Sequence, residues 1–399
     1  MIEGHLRPVA GRLLAPSLLV AMLHGVACSS PPPAPDAGAP PDAGAHSDTD
    51  AGAGTDAGAG TDAGAGTDAG AGTDAGPNPY LATVVLAADA ILTHQAADGA
   101  LFVGEVTLTD NRLVPYFGNQ GAIGLCRAFR ETRDTRYLTA ARRWLDWYAG
   151  HMNPDGTVYD FTLRAGVLTS DGRFDSTDSY AATFISAVRI CRDASGDDVD
   201  ARARMPAVDR AVSAILLTYQ ADGLTFATPS YAVKYLQDNA EVFVGLTDAA
   251  ALAGVFGTTA QVSDRSTRAD RTLRALDDVL FLVGPARYAW SLNGALLEST
   301  PGQWYPDTMG QLMTIASAPP SPRRATLYAA VRAQYFNVPA VIASDLDGEY
   351  ADWWGVAAKK AGDASTVSQL SSRFEAMNWG TVRLRTPADY SRVIELLVR

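Results

Sequence analysis

Five acidic residues sit where helices of this chain should begin: Asp175 and Asp178, Asp238 and Glu241, and Asp307. Each lies at the head of an apolar run, which puts its carboxylate at a helix mouth. Carboxylates gathered at such mouths can protonate a leaving oxygen and supply a base or nucleophile, the chemistry that cleaves a glycosidic bond. The densest stretch is Phe174-Asp175-Ser176-Thr177-Asp178-Ser179-Tyr180, which runs on into Phe184, Ile185, Val188 and Ile190. The same acids have a plainer reading. Asp175 as N-cap with Asp178 three residues later resembles a capping box, Asp238 with Glu241 repeats the spacing, and the helix dipole favours acids in a first turn. Taken singly, each acid is expected to cap; company favours chemistry. Tyr116, Tyr180, Trp304, Tyr305, Trp353 and Trp354 fall near the same rim, where flat apolar faces beside polar groups suit sugar rings. Trp144, Trp147 and Trp379 lie away from these entrances and are assigned to the core.

The elements that must hold these residues are almost all helical, because apolar positions recur at helical spacing throughout residues 80–399. The expected segments are 80–95, one from Pro115, then 135–151, 175–192, 206–220, one from Asp238, 263–282, one from Pro306, and 322–336, 351–360, 364–377 and 387–398. They fall into six pairs starting near 80, 135, 204, 263, 322 and 364. The first helix of a pair is the more charged and ends in a turn such as Asp98-Gly99, Asp155-Gly156 or Asp222-Gly223. The second is richer in Ala, Gly and apolar residues, as a helix surrounded by others requires. This alternation predicts an all-α fold, an (α/α)6 barrel of six helical hairpins. Loops 98–114, 152–175, 221–237 and 283–305 would feed the inner helices from one face.

Ahead of this body the chain has a different character. Residues 1–27 carry Arg7 and Arg12 and an apolar run too short to span a membrane, so they read as a signal peptide. Leu23-His24-Gly25-Val26-Ala27-Cys28 resembles a bacterial lipobox, which would make Cys28 a lipidation site; the other reading is an ordinary secretory signal. Residues 28–79 settle into an Asp-Ala-Gly-Ala-Gly-Thr repeat with no aromatic residue until the body begins. A segment that can bury so little apolar surface is expected to be a disordered tether. Together these imply an exported protein, lipid-anchored to a bacterial membrane on its periplasmic or surface face and touching that membrane through the anchor alone.

Charge narrows the partners. The chain carries −12 in all, and its body is mildly acidic with scattered cations, which argues against nucleic acid. The body holds only two histidines, His94 and His151, so no metal site and no cofactor are expected. A monomer acting on a carbohydrate is the expected state. Cys126 and Cys191 would sit in neighbouring core helices, where two buried thiols are favoured over a bridge.

Six helical hairpins, with Asp175-Ser176-Thr177-Asp178 opening the second inner helix and Trp304-Tyr305-Pro306-Asp307 the fourth, resemble the six-hairpin glycosidase superfamily. Ser176-Thr177-Asp178-Ser179 before an Ala-rich helix is similar to the Thr-Asp segment of family 8 glycoside hydrolases, and the resemblance implies a place for Asp178 at the cleavage subsite. Those enzymes also carry an acid glutamate ahead of a Gly-Gln-Gly segment. This chain has Tyr116-Phe117-Gly118-Asn119-Gln120-Gly121 and no carboxylate there. The resemblance therefore implies the superfamily and not the family. It points to a glycoside hydrolase using Asp178 with Asp238 or Asp307, or to a non-catalytic toroid that binds glycans or a protein. A polysaccharide lyase would need a basic groove, whereas these entrances are acidic.

Overall fold

The computed structural model describes residues 78–336, 349–381 and 384–398. The signal peptide, Cys28 and nearly all of the tether lie outside the described residues. The α-helices are α1 (Leu81–Leu92), α2 (Pro115–Thr132), α3 (Thr135–Gly150), α4 (Asp178–Ser195), α5 (Asp198–Thr218) and α6 (Leu236–Phe256). They continue with α7 (Thr259–Ala275), α8 (Met309–Ser317), α9 (Pro322–Val331), α10 (Glu349–Ala361), α11 (Ala364–Glu375) and α12 (Pro387–Leu397).

The even-numbered helices form a closed inner ring. α2 packs on α4, α4 on α6, α6 on α8, α8 on α10, α10 on α12, and α12 returns to α2. Each odd-numbered helix packs outside, chiefly against the inner helix that precedes it, and α1 leans on α12, so the start of the body closes its end. This is the (α/α)6 barrel. α6 is apolar and long enough to cross a bilayer, but most of it is buried within the ring.

The ring is tight because small residues face one another at its seams. A Cβ on Gly124 would lie 2.7 Å from the Ser391 Cα in α12, and one on Gly245 would lie 2.6 Å from the Ala182 Cα in α4. Between ring and outer layer lies an aromatic and aliphatic core. Trp144 stacks on Trp147 at 5.1 Å between ring centroids and Tyr148 on Phe184 at 4.3 Å, and Trp144, Trp147 and Trp379 are buried as expected.

Several sequence expectations need correction. Cys126 in α2 and Cys191 in α4 form a disulfide rather than two thiols. The second inner helix starts at Asp178, not Asp175, and the third at Leu236, so the acids occupy other positions than the capping reading requires. The third outer helix starts at Asp198 rather than near Pro206, which lies in its interior; Asp197 caps it by accepting from the Val199 and Asp200 amides. The feeding loops are not structureless. β1 (Asn111–Leu113), β2 (Phe161–Arg164) and β3 (Val167–Ser170) make one antiparallel sheet. β4 (Val233–Tyr235) pairs with β7 (Ser291–Asn293) and β7 with β8 (Leu296–Glu298), while β5 (Phe281–Leu282) pairs with β6 (Arg287–Tyr288). Strands of two to four residues leave too short an alternation to compete with helical spacing in a sequence. The first two sheets tie the loops of successive hairpins together beside the ring mouth.

Candidate functional site

The mouth is built from the first turns of the inner helices. Asp178 is the first residue of α4; Thr177 at the N-cap makes no side-chain bond to the helix amides, and the Ser179 amide is met by Ser176 Oγ at 3.2 Å and by Asp178 itself. The Asp178 carboxylate faces a hydrogen-bonded nest. Its Oδ1 accepts from Ser176 Oγ at 2.7 Å and the Ser179 amide at 2.9 Å, and its Oδ2 accepts from Thr225 Oγ1 at 2.5 Å. Thr225 comes from loop 221–237 and is placed by Asn239 of α6, which accepts from the Thr225 amide.

Asp238 and Glu241 belong to the first turns of α6, whose N-cap, Tyr235, offers no capping side chain. Asp238 keeps part of its surface open, and its Oδ2 lies 3.5 Å from Ser176 Oγ. One hydroxyl thus touches two carboxylates, whose nearest oxygens are no more than about 6 Å apart. Glu241 accepts from Tyr116 Oη of α2 at 2.8 Å and from Ser179 Oγ of α4 at 2.5 Å. Three inner helices are therefore joined through one glutamate. Asp175 precedes α4 and is exposed.

These carboxyls hold protons unusually well. Burial pushes Asp178 up to about 6, against the pull of its hydrogen bonds to Thr225, Ser176 and Ser179. Burial likewise raises Glu241 to about 7, opposed by Ser179 and Tyr116 and reinforced by Asp178. Asp238 is raised well above the usual carboxylate range by burial and then by Asp178, Glu241 and Asp175. Asp175 is also raised, chiefly by the protein packed around it although its surface is open, with Arg112 opposing. Carboxylates crowded into a cleft lift one another because two negative charges at short range are costly.

The far side of the mouth is different. Asp352 of α10 accepts from Arg392 Nε at 2.6 Å, Arg392 also pairs with Asp389, and its guanidinium lies 4.4 Å from the Trp353 ring centroid. Here the cation is buried and answered by two carboxylates, so it props the ring and offers little to a ligand.

A scan against protein-family models and a search of curated proteins return no match. Solved structures do match. A rhamnosidase from Klebsiella oxytoca with rhamnose bound is 17% identical with a TM-score of 0.54, over 81% of this chain and 64% of that one. A D-mannose isomerase is 10% identical with a TM-score of 0.57, over 80% and 96%. A GH63 mannosylglycerate hydrolase from Thermus thermophilus in complex with glucose is 12% identical with a TM-score of 0.56, over 79% and 99%. The body shares the (α/α)6 toroid fold of these structures. At such identities the likeness concerns the fold, and the chain spans less than two thirds of the rhamnosidase's length.

Within this toroid the expected site residues separate into groups. Asp175, Asp178, Asp238, Glu241 and Tyr116 come together; Asp178 takes one first-turn amide of its helix, that of Ser179, and its other bonds go to the Ser176 and Thr225 hydroxyls. Asp307 turns elsewhere: it is fully buried, pairs with Arg287 and accepts from the Thr300 amide at 2.7 Å. Tyr180 and Trp354 are buried. Tyr180 donates to Asp160 at 2.9 Å, and the Trp354 ring belongs to the core, so neither offers a face to a ligand. Trp304 and Trp353 are half-buried, while Tyr305 is 44% exposed.

Other members of the site carry no clear sequence signal. Asp160 lies in loop 152–175, buried beneath Tyr180 and raised to about 7 by that burial. Tyr235 stacks on Trp290 with 6.2 Å between ring centroids, and the Tyr235 and Tyr305 phenols both feel the Asp238 charge. The histidines stand apart from the acids. His94 packs edge-on against Tyr390, and His151 stacks on Trp147. Among the described residues no His, Cys, Asp and Glu group is arranged to hold a metal.

Proposed function

We propose that this toroid is an exported glycoside hydrolase in which Asp238 protonates the leaving oxygen and Asp175 supplies the second carboxylate. The observation that carries the reading is Asp238: a partly open carboxyl at the ring mouth, whose hold on its proton is raised well above the usual carboxylate range by burial and then by Asp178, Glu241 and Asp175. A general acid must hold its proton in this way before the bond breaks. Asp175, more open, is in a position to act on water or the anomeric carbon, and Glu241 with Tyr116 stiffens the floor beneath. Tyr305, with Tyr235 and Trp290 behind it, gives an aromatic wall for a sugar face. The solved neighbours named for rhamnose, mannosylglycerate and glucose support a carbohydrate substrate. The isomerase neighbour suggests another chemistry on this fold, but the mouth brings carboxylates together and no imidazole.

The second reading is a toroid that binds glycans without cleaving them, and Asn119 favours it. This residue lies in the segment where the family 8 resemblance implies an acid and no carboxylate occurs, and its side chain is spent on packing, accepting from Trp144 Nε1 and donating to Thr183. A lipid anchor at Cys28 would hold a monomeric body at the membrane. The Cys126–Cys191 bridge agrees with an oxidising compartment outside the cytosol. Incubating residues 78–399 with a panel of neutral, uronic and amino polysaccharides and assaying new reducing ends separates the two readings. Cleavage that falls about 10²- to 10⁴-fold in Asp238→Asn with the fold intact is the expected result. Binding without cleavage of any member of the panel overturns hydrolysis in favour of the second reading.

A further inference from the structure

Asp178 is the acid that its motif brings forward and that the ring closes off. It is 0% exposed, and its oxygens are taken by Ser176, Ser179 and Thr225, so no substrate atom can reach it. Its influence must pass through a neighbour, and the direction of one hydroxyl shows how. Ser176 Oγ has a single proton. At 2.7 Å from Asp178 and 3.5 Å from Asp238, that proton belongs to Asp178. The Ser179 amide also points at Ser176 Oγ, at 3.2 Å. The side of Ser176 Oγ that meets Asp238 is therefore a lone pair, which an ionised Asp238 cannot use and a protonated Asp238 can.

We propose that Asp178 is a positioning residue that orients the Ser176 hydroxyl as an acceptor, so that Asp238 is held as a proton donor at the mouth. The inference rests on Asp238 being the general acid of the proposed hydrolysis. Asp178 gives up no proton itself. When Asp238 passes its proton to the leaving oxygen, the Asp238 anion is left facing a lone pair and two further carboxyls, Glu241 and Asp175, which favours reprotonation from water. The groups that act most strongly on Asp238 are acids, and the cation Arg112 stands beside Asp175, whose rise it opposes. Besides the acids of α4 and α6, the phenols of Tyr235 and Tyr305 lie on its loop side. Arg392 of α12 reaches this group only through Glu241 and Tyr116. Burial and then the charge of Asp178 raise Asp238 directly, whereas a Ser176 hydroxyl that donated to it would lower it, so the direction of that one hydroxyl decides the sign of its effect.

In Asp178→Asn the new amide can donate to Ser176, turning its hydroxyl toward Asp238 and stabilising the ionised form. Ser176→Ala removes the acceptor without touching the buried carboxylate. Carbon-13 titration of labelled aspartate carboxyls, with Asp238→Asn to assign the signal, should show Asp238 titrating at lower pH in both variants, by about one unit or more. On any glycan the native protein cleaves, the alkaline limb of kcat/KM should move down by the same amount, with activity below that limb kept within about tenfold. An Asp238 titration unchanged in Ser176→Ala overturns the proposal, since Asp178→Asn lowers it in any case by removing a neighbouring charge. So does a loss of orders of magnitude at every pH with the limb unmoved, which would make Asp178 the catalyst. If Asp178→Asn fails to fold, Ser176→Ala decides the question alone. If no glycan is cleaved but the titration moves, the hydroxyl orientation stands and the hydrolase reading falls.

Discussion

The outer and inner helices begin in opposite ways. Five outer helices start on a side chain that closes the first turn: Asp134 for α3, Asp197 for α5, Thr258 with Gln261 for α7, Ser321 for α9 and Asp363 for α11. At the inner starts of α2, α4, α6 and α8, the N-cap residues Val114, Thr177, Tyr235 and Thr308 make no such bond. Two helices break the pattern: outer α1, whose N-cap Tyr80 makes no side-chain bond, and inner α12, with a full capping box from Thr386 and Asp389, on the side of the mouth where Arg392 is also neutralised. Where the acids gather, then, finishing a helix is the smaller part of their use: Asp178 takes one first-turn amide, from Ser179, and two hydroxyls, from Ser176 and Thr225. A carboxylate that closes its own turn is stabilised as an anion, whereas one crowded against others at a shared mouth is stabilised as an acid. The same residue type is put to structural use on one face and held chemically poised on the other.

The largest expected effect that tests this contrast is in pH. Asp134, bonded to Arg136, and Asp197, bonded to the Asp200 amide, lie below the usual carboxylate range. Their stabilisation is present above an unfolded value near 4 and is lost as pH falls through the folded value. Asp178, Glu241 and Asp160 lie at about 6, 7 and 7. Between about 4 and 7 the native state keeps protons that the unfolded chain has released, so their contribution to stability falls as pH rises. Melting temperature should accordingly be higher at pH 5 than at pH 7.5, and Glu241→Gln should flatten that difference while Asp134→Asn leaves it. A native melting temperature that rises over the same interval would erase the distinction between the two faces.

A smaller effect is expected from the bridge, which joins α2 and α4 in their C-terminal halves, away from the mouth. Replacing Cys126 and Cys191 together by serine should cost about 2–5 kcal/mol in chemical denaturation. It should leave the Asp238 titration where it was. If that titration moved, ring spacing at one end would be shown to set chemistry at the other. Smallest is a matched pair of caps. Thr258→Ala should cost about 1 kcal/mol, because a capping hydroxyl is lost. Thr177→Ala should cost none of this, since its hydroxyl closes no turn; an equal cost for the two would remove the contrast between the starts.

The sequence made the ring legible because helical spacing and the alternation of charged and apolar segments are local signals. The mouth was only half legible. Asp175, Asp178, Asp238 and Glu241 could be chosen for type and position, but helix starts shifted by two or three residues turned apparent caps into a cluster. Asp307 had the right place and the wrong partner, because Arg287 is supplied by a strand too short to announce itself. Thr225 and Asp160 come from loops and gain their roles only through contacts across the ring. The cysteine pair failed for the same reason: a 65-residue separation says nothing of the distance between two helices.

The glycine seams have a further consequence. An open stack of hairpins can accommodate a widened joint by letting its free ends swing, but a closed ring has none to swing. An added methyl at Gly124 or Gly245, each already within 3 Å of the opposing backbone once a Cβ is placed, would load the whole circumference as a hoop under tension. Part of the displacement would then surface at seams far from the substitution, including those that bring Tyr116, Ser179 and Glu241 to a single point.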